Sequence, residues 1–153
     1  MFHRFAKNVR TVVETAYDEA RRRGDGRLGT EHLLLGVLAD PGSARLLGTD
    51  LTAARAALHE LDLSALRAVG IDVGEFRPAA PVRWGGRTRF TAAARDVLVR
   101  ALRDAARRGS RQLEWEHLVV ALLGCPPSDP AGELLARLNV DPAVVRARLH
   151  GAA

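Results

Sequence analysis

Apolar residues near the start of the chain recur at the spacing of a helix. Val9, Val12, Val13, Ala16, Tyr17 and Ala20 follow the i, i+3, i+4, i+7 rule and predict one apolar stripe on an amphipathic helix. At an offset of 85 the stripe returns as Ala94, Val97, Leu98, Ala101, Leu102 and Ala105, and Arg4 and Phe5 return as Arg89 and Phe90. Both predicted helices end in arginines followed by glycine, Arg22-Arg23-Gly24 and Arg107-Arg108-Gly109. Cations in a last turn complement the helix dipole, and glycine suits the left-handed position beyond it. The chain is therefore an internal duplication.

The same offset carries into a second helix. Leu28 to Leu33 aligns with Leu113 to Leu118, and the apolar runs Leu33 to Leu38 and Leu118 to Leu123 follow in step. Beyond them Asp40-Pro41-Gly42 and Cys125-Pro126-Pro127 read as turns. Asp129-Pro130 and Asp141-Pro142 each read as an N-cap followed by proline at the first helical position. Leu47-Gly48-Thr49-Asp50 answers Leu138-Asn139-Val140-Asp141. Each repeat is expected to hold about four helices: one long, one medium and two short. Residues 62–77, with Leu63, Leu66, Val69 and Phe76, predict one or two further short helices, and 78–89, rich in proline and glycine, predict a linker or exposed loop. No segment reads as a strand. The expected architecture is all-α: two pseudo-symmetric four-helix repeats packed as one domain, with repeat one over 1–61, an inserted segment over 62–89 and repeat two over 90–153.

Composition adds a basic surface to this picture. The formal net charge is +5, and Lys7 is the single lysine among 23 basic residues. Acidic residues are interleaved with the arginines, so an ordinary amphipathic helix surface competes with nucleic-acid binding as the explanation. One cysteine, Cys125, excludes an intrachain disulfide framework and favours a cytoplasmic location. The N-terminus carries no apolar signal-peptide core, and no apolar run approaches the roughly 20 residues that span a bilayer.

Phe2 and Phe5 before a long helix, then Gly29-Thr30-Glu31-His32-Leu33-Leu34-Leu35-Gly36, then Arg89-Phe90-Thr91 opening a second copy, resemble the Clp N-terminal (Clp repeat) domain. That is the duplicated helical module at the front of ClpA- and ClpC-type AAA+ unfoldases, and the resemblance covers nearly the whole chain. The second copy departs from the pattern, with Glu114-Trp115-Glu116-His117 in place of Gly-Thr-Glu-His. The resemblance implies a module that docks substrates and adaptors for a Clp ATPase. The chain has no G-x-x-x-x-G-K-[ST] phosphate loop, so the expectation is a free-standing N-domain rather than an ATPase.

Glu31 and Glu116 each fall in the first turn of their helix, where the dipole favours a carboxylate. Some ClpC-type domains read phosphorylated arginine, the glutamate of this motif gripping the guanidinium while backbone N–H groups take the phosphate. Carried over, the resemblance implies a phosphoarginine-type site at Thr30 and Glu31, and a second at Trp115 and Glu116. A carboxylate matches a guanidinium at two points, and a helix N-terminus favours an anion. The plainer reading makes both glutamates ordinary first-turn acids. Trp115 either blocks the second pocket or stacks on a guanidinium. In actinobacterial members equivalent phenylalanines receive cyclic peptide antibiotics, which implies such a patch at Phe2 and Phe90, while Phe5 suits the core.

His32 and His117 lack the spacing of a metal site and are expected to hydrogen-bond within their repeats. Cys125 reads as a small packed thiol. No catalytic constellation, cofactor site or metal site is expected. The function expected is a non-enzymatic recognition module of the Clp protease system, its partners a Clp ATPase, adaptors or protein clients. Sequestration of a cyclic peptide antibiotic and binding of DNA by a basic helical protein are the alternatives.

Overall fold

The two matching stripes lie on two matching helices. In a computed structural model that describes residues 2–72, 74 and 89–151, α1 (Lys7–Arg22) buries Val9, Val12, Ala16 and Ala20, and α5 (Ala92–Arg107) buries Ala94, Val97, Leu98, Ala101 and Ala105. Both end in the same way. Gly24 and Gly109 take left-handed φ values of 74° and 73°, and the next N–H reaches back five residues, Asp25 to the Ala20 carbonyl and Ser110 to that of Ala105. This satisfies carbonyls that a helix end otherwise leaves bare.

The second helices, α2 (Thr30–Leu38) and α6 (Trp115–Leu123), form the centre. Along α2 every residue except Glu31 is buried, and α6 contributes Leu118, Val119, Ala121, Leu122 and Leu123 to the same core. Full burial of each leucine contributes about 1.5–3 kcal/mol. Gly36 lets α1 approach α2 closely, because any side chain there meets the Val12 carbonyl. Repeat two carries Ala121 at that register.

Each repeat then adds a short helix, α3 (Pro41–Leu47) or α7 (Pro130–Arg137), and a fourth, α4 (Leu51–Ala68) or α8 (Pro142–Gly151). Asp129 and Asp141 cap their helices by accepting from the N–H groups of Ala131 and Ala143, both at 2.9 Å. Asp40-Pro41 is more than a turn: Asp40 accepts from the Ser43 N–H at 2.9 Å and caps α3. Gly48 and Asn139, which answer each other in sequence, are both left-handed. The fourth helix of repeat one differs from expectation. Residues 62–68 do not start a new short helix but continue α4, which runs 18 residues in one piece. Phe76 and all but the last residue of the linker expected over 78–89 lie outside the described residues.

The repeats are interlocked. The Ala6 N–H donates to the Leu113 carbonyl at 3.0 Å and the Leu113 N–H to that of Arg4 at 2.8 Å. At the symmetric place the Thr91 N–H donates to the Leu28 carbonyl at 2.9 Å and the Leu28 N–H to that of Arg89 at 2.8 Å. The lead-in of each repeat is thus pinned to the loop of the other, and these two isolated bridges are the only β pairing among the described residues. The third helices cross over as well, α7 packing on α2 and α4, and α3 on α8. Among the described residues, no helix is long and apolar enough to cross a membrane.

Candidate docking site

The start of α2 is a closed network. Gly29 is the N-cap, and its N–H donates to His32 Nδ1 at 2.8 Å. That bond leaves the proton on Nε2, which meets Asp25 Oδ2 at 2.7 Å. Burial pushes the Asp25 carboxyl up, but hydrogen bonds and attraction from His32 and Arg23 outweigh it and hold the group below its usual range. Thr30 is buried. Its hydroxyl donates to Asp129 Oδ1 at 2.6 Å and accepts from the Ala131 N–H at 3.2 Å, tying α2 to the cap of α7. Glu31 is half-buried beside this network.

Around the network the charges are matched within the chain. Glu19 is buried and held by the Arg55 guanidinium through Nε, at 3.1 and 3.2 Å, and through Nη2. Arg23 bridges Asp25 at 3.1 Å and Asp62 at 2.6 Å. Both Arg55 and Asp62 come from α4, which therefore covers this side of repeat one.

Asp25, Glu31 and His32 bring potential metal-ligand atoms within 4.8 Å of one another. Sequence spacing did not join Asp25 to the other two, because the loop before α2 carries it there. Both nitrogens of His32 are already committed, one to Gly29 and one to Asp25, so the group works as a helix-capping network.

The start of α6 keeps the cap but not the closure. The Glu114 N–H donates to His117 Nδ1 at 3.1 Å, as Gly29 does to His32. Trp115 stands where repeat one has Thr30, is half-buried, and forms a wall shared by two grooves. One, of about 660 Å³, lies between α3, α5, α6 and α8, and is lined by Arg45, Asp104, Arg108, Trp115, Glu116 and Arg146 among others. The other, of about 650 Å³, runs along α1 past Lys7, Thr11, Val12, Ala39 and Glu114. Asn8 donates to Glu114 at 3.0 Å on its rim. An indole N–H can donate but cannot accept, so Trp115 cannot reproduce the pair of bonds that Thr30 makes to α7.

Phe2 and Phe90 come together, with ring centroids 6.1 Å apart, and Phe5 meets Phe2 edge-on at 5.1 Å. Phe5 is buried, Phe90 half-buried and Phe2 exposed, so the patch presents mainly Phe2. Cys125 is a packed thiol: burial and the nearby Asp129 carboxylate push it up to about 11, against the pull of Arg100.

The Clp repeat (R) N-terminal domain family profile matches residues 4–77 and 89–153. An uncharacterized protein of Mycobacterium tuberculosis is 32% identical over 156 residues, covering 99% of this chain and 57% of its own length. The chloroplastic ClpA homolog of Brassica napus is 28% identical over 97% of this chain, which corresponds to 16% of that protein. The chain thus spans little more than half of the first relative and a small part of the second. Among solved structures, the N-terminal domain of ClpD from Arabidopsis thaliana superposes with a TM-score of 0.73 at 23% identity, covering 98% of this chain and 97% of that one.

Proposed function

The chain belongs to the Clp repeat N-terminal domain family, and from that premise we propose that it is a recognition module of the Clp proteolytic system that docks protein clients or adaptors in the groove beside Trp115. Its role is binding rather than catalysis. Delivery of clients to a Clp ATPase, or competition for that ATPase's adaptors, follows from the same surface.

One observation carries the reading: Glu116 and three guanidinium groups, those of Arg45, Arg108 and Arg146, line one open groove. Phosphoarginine carries a guanidinium-type head for a carboxylate and a phosphoryl group for cations, and it fits this charge pattern. Calorimetric titration with a phosphoarginine peptide, with its unmodified twin as control, tests it. The phosphorylated peptide binds wild type and the Glu31→Gln variant, and loses affinity in Glu116→Gln. Equal binding of both peptides, or no binding of either, overturns the phosphoarginine reading.

The Phe2 patch supports a second reading, capture of cyclic peptides of the antibiotic type. Phe2 is 49% exposed and backed by the Phe5 and Phe90 rings, an apolar surface of the kind that marks binding sites. A cyclic peptide that binds wild type and not Phe2→Ser supports it; identical binding to both removes it.

A further inference from the structure

The equivalent clusters of the two repeats differ in net charge, acidic in repeat one and basic in repeat two. In repeat one, four carboxylates (Glu19, Asp25, Glu31 and Asp62) gather around two guanidinium groups, Arg23 and Arg55, and all but Glu31 are bonded to the arginines. Repeat two keeps Arg108 in place of Arg23 and Arg146 in place of Arg55, at the offsets of their helices. It replaces Asp25 by Ser110 and Asp62 by Ala153 in sequence, and α3 brings in Arg45. Two carboxylates then face three guanidinium groups.

The remaining acids pair with only one of the three arginines, Arg108. Asp104 is one carbon shorter than Glu19. It lies 3.0 Å from Arg108 on its own helix, an ion pair in which its Oδ2 gains no hydrogen bond. Arg45 and Arg146 are exposed and make no ion pair with any described residue. Meanwhile the repeat-one counterpart is filled by its own chain: Arg55 covers Glu19, Asp62 holds Arg23, and Asp129 holds Thr30.

We propose that the groove between α3, α5, α6 and α8 accepts an acidic peptide segment through Arg45, Arg108 and Arg146, one segment per chain, with repeat one sealed against the same ligand. Charge complementarity selects the occupant, and Trp115 gives its backbone an apolar wall. This rests on the groove being the docking site proposed above, and it predicts that phosphorylation on arginine is not required for entry.

The test is calorimetric titration of the full chain with a short peptide of glutamate and serine. The expected result is saturable binding of one peptide per chain that weakens as salt is raised. Arg45→Ala and Arg146→Ala each weaken it about threefold, in line with solvent-facing ion pairs. Glu116→Gln strengthens it, the opposite of its effect on a phosphoarginine peptide. The control pair Arg95→Ala and Arg103→Ala, exposed elsewhere on α5, leaves it unchanged. Binding of two peptides per chain, equal loss in the control pair, or no saturable binding overturns the inference. Failure of the acidic peptide alongside capture of the phosphoarginine peptide removes this inference and leaves the docking site standing.

Discussion

The Thr30 hydroxyl and the Asp129 carboxylate, from different repeats, meet at 2.6 Å. With the Ala131 N–H they close the start of α2 against the cap of α7. The equivalent position in repeat two is Trp115, which packs against the edge of the core and borders two grooves. That exchange is one of the differences between the closed start of α2 and the open start of α6, together with the Arg55–Glu19 and Arg23–Asp62 pairs that, among the described residues, repeat one alone has.

Thr30→Val keeps the shape of the side chain and removes its hydrogen bonds. Because the site is buried, unfolding stability falls by about 1–2 kcal/mol. Urea denaturation followed by circular dichroism measures it. No change in the midpoint contradicts the cross-repeat tie.

Glu19 and Asp104 hold equivalent places, but only Glu19 is buried and gripped from the fourth helix. Removing its partner in Arg55→Ala strands a buried carboxylate and costs about 1–3 kcal/mol. Asp104→Ala, in the open repeat, costs under about 0.5 kcal/mol. Equal losses contradict the asymmetry between the repeats.

Much of the frame was legible in the sequence. The stripes on α1 and α5, the glycine endings at Gly24 and Gly109, and the Asp129 and Asp141 caps depend on local spacing, so they read directly from the chain. The length of α4 did not, because its later turns have a weak apolar pattern and gain partners such as Arg23 only through tertiary contact. The capping role of Asp40 was hidden by a proline and glycine that also suit a turn. The difference between the sites was out of reach for a further reason. It depends on which helix of the other repeat lies opposite Thr30 or Trp115, and on long-range pairs such as Arg55 with Glu19.

Asp25 gives the molecule an acid-sensitive element. Its folded pKa lies below the unfolded value near 3.8, so the folded state gains from its ionised form. That gain is present above the unfolded pKa and is lost as pH falls from about 4 down through the folded pKa. Asp25→Asn removes it, and the acid limb of the stability profile becomes shallower. Parallel acid limbs in wild type and variant contradict the assignment.

Cys125 should be slow toward alkylating reagents in the folded state. With its thiol pushed up to about 11, roughly one molecule in a thousand is thiolate at pH 8, against about one in four for a free cysteine. Iodoacetamide labelling followed by mass spectrometry is therefore on the order of a hundredfold slower than in denaturant. Equal rates contradict the packed environment.

The central claim is that one groove, at the start of α6, receives the ligand while its counterpart at the start of α2 is shut. Mapping backbone amide shifts by nuclear magnetic resonance during titration with a phosphoarginine peptide tests it most directly. The account predicts shifts clustered at Arg45, Trp115, Glu116 and Arg146, with Thr30, Glu31 and Arg55 unmoved. Shifts of equal size at Thr30 and Glu31, or shifts confined to Phe2 and Phe90, contradict it.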